Sequence, residues 1–488
     1  MLFLEENLKE KFKALMRDAS TAAEVIKEVI EQDKPIHVIS HLDADGLAAA
    51  GIIGKALARL GATFKVRVRH WIDEKVVEEL KSEKPALTIL TDLGSGYLDF
   101  LTEKLQGYKI IILDHHQPVG EPAETFIHVN PHVHGVDGSK DLSGSGIAYM
   151  AAKALDKSNV DLAAIAVVGA LGDLQDKYDQ KALGSLNEII VQDAVENGYL
   201  EVKKDLIFFG RETRPIHKAL ALTTSPYIPG ISGEEDKSLA FLASIGIKPK
   251  IGDKWRALRD LSEEEKRKLC STLAEYLISK GFPKEALSLV GHVYTLVKEE
   301  PWTPLRDGRE FSVLLNATGR MNRPSLGIAI CMGDRGAAFE EANQVLDEYR
   351  TLITKYLGWL IENERIEELE NIYVIKGEND IEDKIIGTLA SILSTNYVNK
   401  PIIAYAAVPS ERIVKISARA LDPLVKRGLD LGKIMRTAAE KCSGRGGGHN
   451  IAAGAQIPIE QVETFIKLVN MLVKEQLEKF EDKSENNA

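Results

Sequence analysis

Three apolar segments in the N-terminal part of the chain each end in side chains that bind metal ions or phosphates. The segments are Ile36–Ser40, Leu87–Thr91 and Ile110–Leu113. The side chains that follow them are His41, Asp43 and Asp45 after the first, Asp92 after the second, and Asp114, His115 and His116 after the third. Parallel α/β sheets bind ligands beyond the carboxyl ends of their strands. The sequence therefore predicts that these acids and imidazoles meet at one edge of one sheet.

The chemistry of this set is that of a centre for hard divalent cations. Asp173 ends a run of small residues, Gly169-Ala170-Leu171-Gly172, and can approach the other acids. Carboxylates mixed with imidazoles suit Mn²⁺ or Mg²⁺ better than a thiolate site would. Two ions about 3.5–4 Å apart can activate a water and stabilise an in-line phosphoryl displacement. One carboxylate must bridge them, and we expect it to be Asp92, from the middle of the three strands. A single Asp at a strand end is commonly a cap or turn residue. The prediction of a metal centre therefore depends on the occurrence of acids and imidazoles together at the ends of successive strands.

Composition bounds the class of protein. The chain has 488 residues, 44% hydrophobic and 28% charged, which predicts two or three globular domains. Its net charge of −11 gives no global basic signature of nucleic-acid binding, although a local basic groove is compatible with it. The three cysteines are far apart and predict neither a zinc knuckle nor a disulfide framework. Cysteines without a disulfide framework suit a reducing compartment, so we expect a cytoplasmic chain. We expect no membrane partner, because the apolar run near 162–171 is too short to span a bilayer.

The pattern of apolar residues predicts an α/β fold in several parts. Strand-like and helix-like runs alternate in the first part, as in a parallel sheet, and the run 46–60 is typical of a helix that begins beside Asp43 and Asp45. The predicted parts are a parallel-sheet core at 1–195, a mostly helical insertion at 196–300, a return to the core at 301–337, a long connector helix at 338–370, a smaller α/β domain at 371–478 and a flexible tail at 479–488.

Four motifs together resemble the DHH phosphoesterase superfamily. They are the His-x-Asp-x-Asp-Gly string at 41–46, the isolated Asp92, the Asp114-His115-His116 triplet and the Gly-x-x-x-Asp that ends at Asp173. The resemblance implies that His116 contacts the scissile phosphate and that Asp114 orients an imidazole. It also implies a set of ligands for two metal ions, namely His41, Asp43, Asp45, Asp92, His115 and Asp173.

The C-terminal part resembles the DHH-associated domain. Glycines let backbone N–H groups approach an anion, and arginine forms a bidentate fork with phosphate. The string 315–321 is similar to the region that links core and associated domain in RecJ-type single-strand nucleases, and its arginine is expected on a neighbouring phosphate. The substrate-binding residues implied by these resemblances are Arg320, Ser417, Arg419 and a glycine-rich loop of Gly446, Gly447, Gly448 and His449.

The resemblance covers most of the chain except 195–300, and it best fits the archaeal RecJ-like nucleases, including those that associate with the GINS complex. It implies removal of nucleotides from one end of single-stranded DNA or RNA, in replication or repair, with Mn²⁺ or Mg²⁺. Bacterial RecJ proteins commonly carry an Asp where His41 stands here and have an additional oligonucleotide-binding fold that this sequence does not show. Cleavage polarity and substrate preference are therefore not carried over from them.

Two alternatives remain open. The first is a phosphodiesterase for small molecules or short oligonucleotides, such as nanoRNA or a cyclic dinucleotide. The length of the chain, the string 315–321 and the large insertion argue against it. The second is a replication-fork scaffold bound to GINS, with residues 196–300 as the docking surface. A scaffold tends to lose ligands, whereas this sequence retains the whole set.

Overall fold

The chain forms two compact units. The computed structural model describes residues 6–223, 226–394, 397 and 399–485. The units are Met1–Leu346 and Asp347–Ala488, and the division falls inside a long helix. In the described ranges, no helix combines the length and apolar character that crossing a membrane requires.

The first unit is built on a five-stranded parallel sheet with the order β2-β1-β3-β4-β5. Its strands are β1 (Ile36–Ser40), β2 (Phe64–Val68), β3 (Leu87–Thr91), β4 (Ile110–Leu113) and β5 (Phe126–Val129). The helices of this part are α1 (Glu6–Glu31), α2 (Ala44–Arg59), α3 (Glu74–Glu83), α4 (Leu98–Lys104), α5 (Gly144–Leu155), α6 (Ala163–Gly172) and α7 (Ser185–Glu196).

Helices cover the sheet, which explains why its central strands are apolar runs. Every residue of β1, β3 and β4 is buried, as expected when both faces of a parallel sheet are packed. Helices α2, α5 and α6 pack against one another through small residues. The predicted strands coincide with β1, β3 and β4, and the predicted α/β fold with a parallel sheet is confirmed.

The segment after α7 forms a module with its own hydrophobic core. Antiparallel strands β6 (Leu200–Leu206) and β9 (Val290–Leu296) bring its two ends together. Between them lie α8 (Ile216–Leu222), α9 (Glu235–Ser244), the hairpin strands β7 (Lys250–Ile251) and β8 (Lys254–Trp255), α10 (Glu263–Ser279) and α11 (Pro283–Leu287). Phe208, Leu242 and Leu273 lie in its core. Helices α12 (Gly308–Arg320) and α13 (Pro324–Cys331) then return to α2 and α6.

The long connector helix, α14 (Ala337–Glu362), is shorter than the predicted 338–370. Glu364 adopts a left-handed backbone with φ +50°. The amide of Arg365 donates to Leu360 O at 3.0 Å, and that of Glu364 donates to Ile361 O at 3.3 Å. This pair of bonds is a Schellman motif, which ends a helix. Strand β10 (Ile366–Glu368) follows.

The second unit contains a six-stranded mixed sheet with the order β10-β11-β12-β13-β15-β14. Its other strands are β11 (Tyr373–Glu378), β12 (Ile402–Val408), β13 (Ile413–Arg419), β14 (Arg445–Gly448) and β15 (Ala452–Pro458). Its other helices are α15 (Asp383–Ser394), α16 (Asp422–Lys426), α17 (Leu431–Lys441) and α18 (Val462–Glu485). The tail predicted to be flexible is thus helical to Glu485, and residues 486–488 lie outside the described residues.

Candidate metal centre

The topology of the sheet places the predicted ligands side by side. Strand β3 lies between β1 and β4, and the strand order reverses between β1 and β3. The final residues of these strands are in register, with Ser40 paired to Thr91 and Thr91 to Leu113. The side chains that follow therefore leave the sheet at the same level. Open α/β sheets bind ligands at this kind of switch point.

Asp92 lies at the centre of the cluster. Its Oδ1 is 3.1 Å from Nε2 of His115 and 4.0 Å from Nδ1 of His116. Its Oδ2 is 3.7 Å from Nδ1 of His41. The residue adopts φ +54°, a conformation that Asp tolerates better than most residues. Asp92 is thus held against imidazoles from both neighbouring strands.

The potential ligand atoms fall into overlapping groups. The atoms of each group lie within 4.8 Å of one another, and Asp92 belongs to two of the three groups in the first unit. Those groups are His41, Asp43 and Asp92; Asp92, Asp114, His115 and His116; and Asp45, His115 and Asp173. The structure therefore brings all eight sequence-predicted residues together, and Asp92 lies where a bridging ligand would be expected.

The donor set fits hard divalent cations. Asp92 is 1% exposed. Neither of its oxygens receives a hydrogen bond of acceptable geometry from any described residue, although the imidazole nitrogens come close. A buried carboxylate without donors is costly unless a cation compensates it. Carboxylate oxygens and imidazole nitrogens are suitable ligands for Mn²⁺, and carboxylates also suit Mg²⁺.

Asp45 is held by the beginning of helix α5. Its Oδ2 accepts from the amide of Gly144 at 2.7 Å, and its Oδ1 accepts from the amide of Ser145 at 3.1 Å. Burial, reinforced by the charge of Asp92, nevertheless raises the pKa of Asp45 to about 8. Because like charges crowd here, the metal-free centre retains a proton on this carboxyl.

Protonated imidazoles balance the remaining acids in the metal-free state. Burial alone would lower the pKa of His41, but the charges of Asp43 and Asp92 outweigh it and raise that pKa to about 10. Burial likewise opposes ionisation of Asp43, yet His41 holds the pKa of Asp43 well below its usual range. The pKa of His115 is raised in the same way by the surrounding carboxylates, against the effect of burial. A bound divalent cation would take over this balancing role.

Asp114 fixes His116 rather than facing the other carboxylates. Its Oδ1 accepts from Nδ1 of His116 at 2.7 Å and from the amide of His115 at 2.8 Å. Its Oδ2 accepts from the amide of Ser95 at 2.7 Å. Asp114 is fully buried, whereas the side chain of His116 is 37% exposed. The charge of Asp114 outweighs burial and raises the pKa of His116. This arrangement holds an accessible imidazole in one orientation and favours its protonated form.

Sequence reasoning missed the polar residues that support these ligands. Asn130 is buried, and its Nδ2 donates to Ser95 Oγ at 2.8 Å and to His116 O at 2.9 Å. Gln175 is buried beside Asp173, with Nε2 donating to its Oδ2 at 2.8 Å. The glycine and serine run at 143–146, at the beginning of helix α5, was a usable signal for the contacts to Asp45. An isolated amide carries no comparable signal.

Helix α12 contacts the loop that carries the first ligands. Asn316 Oδ1 accepts from the amide of Ala44 at 3.2 Å. A Cβ added to Gly319 would lie 1.7 Å from the carbonyl oxygen of Leu42, so only glycine permits this approach. Burial opposes the lowered pKa of Asp43, and the charge of Arg320 helps to lower it, after the larger effects of His41 and the amide of Gly46. The structure thus places the predicted substrate residue Arg320 beside the cluster.

The other end of α12 contacts the module that begins at β6. Glu310 is 3% exposed. Its Oε1 accepts from the amide of Glu212 at 2.8 Å, and its Oε2 accepts from Thr213 Oγ1 at 2.5 Å. One helix therefore contacts both the module and the ligand loop.

The remaining predicted substrate residues lie in the second unit. Ser417 and Arg419 are on β13, and Arg419 Nε donates to Ser391 Oγ at 2.8 Å. The glycine-rich segment was expected to be a loop. This expectation was wrong, because Arg445–Gly448 forms the edge strand β14, paired with β15. A Cβ at Gly446 would lie 2.4 Å from Met435 O, whereas a Cβ at Gly447 would meet nothing within 4 Å. His449 follows the strand, and its amide donates to Ala452 O at 2.8 Å.

Comparisons with known proteins agree with this geometry. The DHH family, N-terminal domain, matches residues 35–171, the DHH-CID domain matches 208–290, and the DHHA1 domain matches 370–475. An uncharacterized protein of Methanocaldococcus jannaschii is 34% identical over 470 residues, which are 95% of this chain and 99% of that protein. The single-stranded-DNA-specific exonuclease RecJ of Thermus thermophilus is 30% identical over 166 residues, which are 31% of this chain and 24% of RecJ.

Solved structures share the fold. RecJ from Thermus thermophilus in complex with Mn²⁺ has a TM-score of 0.57 and 20% identity, covering 94% of this chain and 55% of RecJ. This chain therefore spans about half of that RecJ. CDC45 from Entamoeba histolytica has a TM-score of 0.59 and 14% identity, covering 96% of this chain and 98% of CDC45. The fold is RecJ-like, and together with the site it defines a phosphoesterase. The chain belongs to the DHH family.

Proposed function

We propose that this chain is a metal-dependent exonuclease that hydrolyses phosphodiester bonds of single-stranded DNA or RNA. The observation that carries the proposal is the complete set of eight acids and imidazoles around Asp92 at the switch point of the sheet. The similarity to RecJ, which is named as a single-stranded-DNA-specific exonuclease, supports the choice of substrate class. Action in replication or repair is part of the same proposal.

The metal ions belong to this proposal as well. The residues that would hold two Mn²⁺ or Mg²⁺ ions are His41, Asp43, Asp45, Asp92, His115 and Asp173. When bound, such ions activate water and stabilise charge on the attacking and leaving oxygens. The RecJ structures with Mn²⁺ and Mg²⁺ support this choice of metals.

The protein's own groups position the phosphate and its charge. His116, protonated and oriented by Asp114, donates a hydrogen bond to the scissile phosphate. Preorganised donors of this kind stabilise developing charge without reorganisation. Arg320 binds a neighbouring phosphate from its place beside Asp43.

The second unit supplies further phosphate contacts in this proposal. Ser417 and Arg419 offer a hydroxyl and a guanidinium on β13. Gly446, Gly447, Gly448 and His449 offer backbone amides and an imidazole. Glycine permits close approach of a phosphate to the backbone.

A digestion experiment tests the activity. DNA and RNA oligonucleotides of identical sequence, each labelled at the 5′ or the 3′ end, are incubated with the chain and Mn²⁺ or Mg²⁺. We expect stepwise shortening from one end of a single strand, which also reports polarity and sugar preference. Hydrolysis of dinucleotides alone would instead support the small-molecule alternative. No hydrolysis of any substrate would contradict the proposal and favour a scaffold.

Two variants of Asp92 test whether hydrolysis depends on the metal centre. Asp92→Ala should reduce turnover severely, and Asp92→Asn provides the same test with a residue that accepts φ +54°. Asp33→Asn is the matched control, since Asp33 also has a left-handed backbone, φ +52°, but lies in the turn before β1. Near wild-type rates in either Asp92 variant would contradict the role of Asp92.

A partner role is the second part of the proposal. The module within residues 196–300 has its own core, and it exposes large apolar side chains, among them Ile278 at 58% and Leu287 at 81%. We propose that this module docks on the GINS complex. Leu287→Asp should weaken co-purification with GINS and leave hydrolysis unchanged, because this side chain is outside the core. Unchanged co-purification by Leu287→Asp and by Ile278→Asp would contradict this docking surface.

A further inference from the structure

A buried amide connects two of the proposed metal ligands. Gln175 has no exposed surface. Its Nε2 donates to Asp173 Oδ2 at 2.8 Å and to Gly138 O at 2.8 Å. The same carbonyl oxygen of Gly138 accepts from Nδ1 of His115 at 2.6 Å. One side-chain amide therefore contacts Asp173 directly and shares an acceptor with His115.

The chemistry of these partners fixes the orientation of each group. Both partners of Gln175 Nε2 are oxygens that can only accept, so the nitrogen must face them. Its Oε1 accepts from Nδ2 of Asn187 at 2.7 Å. Since a carbonyl cannot donate, Nδ1 of His115 carries a proton. The 3.4 Å separation between Gln175 Nε2 and that Nδ1 is then a contact between two donors that share Gly138 O.

This tautomer has a consequence for the metal centre. With Nδ1 of His115 committed to Gly138, Nε2 is the nitrogen that a metal ion can use. That atom faces Asp92 at 3.1 Å and Asp45 at 3.8 Å. Hydrogen bonds to the second nitrogen of a ligating histidine fix its tautomer and ring orientation.

The local backbone keeps the amide in place. Leu174 turns the chain with φ +54°, and the amide of Gln175 donates back to Ala170 O at 3.0 Å. A Cβ at Gly138 would lie 1.9 Å from the carbonyl oxygen of His115, so these two segments are in direct backbone contact. The carbonyl that Gln175 and His115 share therefore has little freedom to move.

We infer that Gln175 is a positioning residue of the metal centre, which holds the carboxylate of Asp173 directly and the imidazole of His115 through Gly138. The inference rests on the proposed function, because the metal ion belongs to that proposal. Loss of such supporting contacts typically weakens metal binding 10–100-fold.

The test measures Mn²⁺ affinity by calorimetry on protein stripped with EDTA, independently of hydrolysis. Gln175→Met keeps the length of the side chain and removes both donations. Gln175→Glu keeps an acceptor for Asn187 and, in its ionised form, cannot donate to Asp173, so the binding of this variant is measured at about pH 8 and above. The control is Asn159→Leu, since Asn159 is a buried amide of the same unit that contacts Ala152 O and Arg59. Circular dichroism confirms that each variant is folded.

We expect both Gln175 variants to bind Mn²⁺ about 10–100-fold more weakly than the wild-type chain. Asn159→Leu should lower the unfolding temperature and keep its Mn²⁺ affinity within about twofold of wild type, because it lies outside the cluster. Wild-type affinity in either folded Gln175 variant would overturn the inference. If neither Gln175 variant folds, Asn187→Ala tests the inference instead. This variant removes only the hydrogen bond to Oε1 of Gln175, and it should weaken Mn²⁺ binding several-fold.

Failure of the inference and failure of the proposed function give different results. A wild-type chain that binds no Mn²⁺ would overturn the metal centre and this inference with it. A wild-type chain that binds Mn²⁺ but hydrolyses no oligonucleotide would overturn only the nuclease proposal, and the Gln175 comparison would still be decided by affinity.

Discussion

Gly144→Ala should damage the metal centre through a single methyl group. Gly144 begins helix α5, and its amide donates to Asp45. An added Cβ would lie 2.6 Å from Oδ1, 2.8 Å from Cβ and 3.0 Å from Cα of Asp92. Ordinary contact begins at 3.4 Å, so Asp92 or α5 must shift by about 0.8 Å to accommodate the methyl. Neither side can yield easily, because Asp92 is buried and backbone atoms are involved.

The shift has two measurable consequences. Overpacking of a buried site costs about 1–3 kcal/mol of the free energy of unfolding. A displacement of about 1 Å in a catalytic centre can reduce turnover about 10²-fold. We therefore expect Gly144→Ala to remain folded, to unfold at a lower temperature, and to hydrolyse an end-labelled oligonucleotide about 100-fold more slowly with Mn²⁺.

Gly96→Ala is the matched control. A Cβ at Gly96 would meet no neighbouring atom within 4 Å, although this residue directly follows Ser95 in the same unit. It should leave hydrolysis and Mn²⁺ affinity within about twofold of wild type, on the expectation that substitutions without such contacts change little. A folded Gly144→Ala chain with wild-type hydrolysis and affinity would refute the assignment of Asp92 to the metal ions. An equal loss in both variants would mean that the assay reports general damage.

Five further outcomes follow from the site. EDTA should abolish hydrolysis, and Mn²⁺ at about 100 times its Kd should restore it and stabilise the fold by about 2.7 kcal/mol, measured by thermal unfolding. His116→Ala should slow turnover about 10²–10³-fold while Mn²⁺ affinity by calorimetry stays near wild type, because His116 is proposed to contact phosphate. Gly447→Ala should fold normally and raise KM if phosphate approaches that backbone, whereas Gly358→Ala, which is also free of contacts, should not. Mn²⁺ affinity should rise with pH up to about 10, about tenfold per pH unit for each proton displaced, because the ligands Asp45, with a pKa of about 8, and His41, with a pKa of about 10, must lose their protons. In the metal-free protein the raised pKa of Asp45 gives stability below about pH 4 that is lost as pH rises through about 8, so unfolding in EDTA at these pH values checks the sign.

The parallel sheet and the positions of the ligands were predictable because each depends on a local signal. Buried parallel strands are continuous apolar runs, and β1, β3 and β4 end where those runs end. All the predicted ligands except Asp173, which follows helix α6, come shortly after these strands, so a correct set of strands also places them.

Other features depend on contacts that no local pattern records. Glycine is depleted in strands, yet β14 forms because β15 pairs with it and α17 packs against it. Gln175 and Asn130 are single amides whose importance comes from partners distant in the sequence. The end of α14 depends on one left-handed residue, Glu364, rather than on a glycine or proline.

Helix α12 connects the module to the metal centre. The helix has 13 residues, with Glu310 holding the start of the module near one end and Asn316 holding the ligand loop toward the other. Contacts along this one helix therefore connect the module to the loop carrying Asp43. By thermodynamic reciprocity, any effect of a docked partner on Mn²⁺ affinity must equal the effect of Mn²⁺ on the partner's affinity. Excising 196–300 would also remove both hydrogen-bond donors to the carboxylate of Glu310, so a truncated chain is a poor substitute for point substitutions on the outer face of the module.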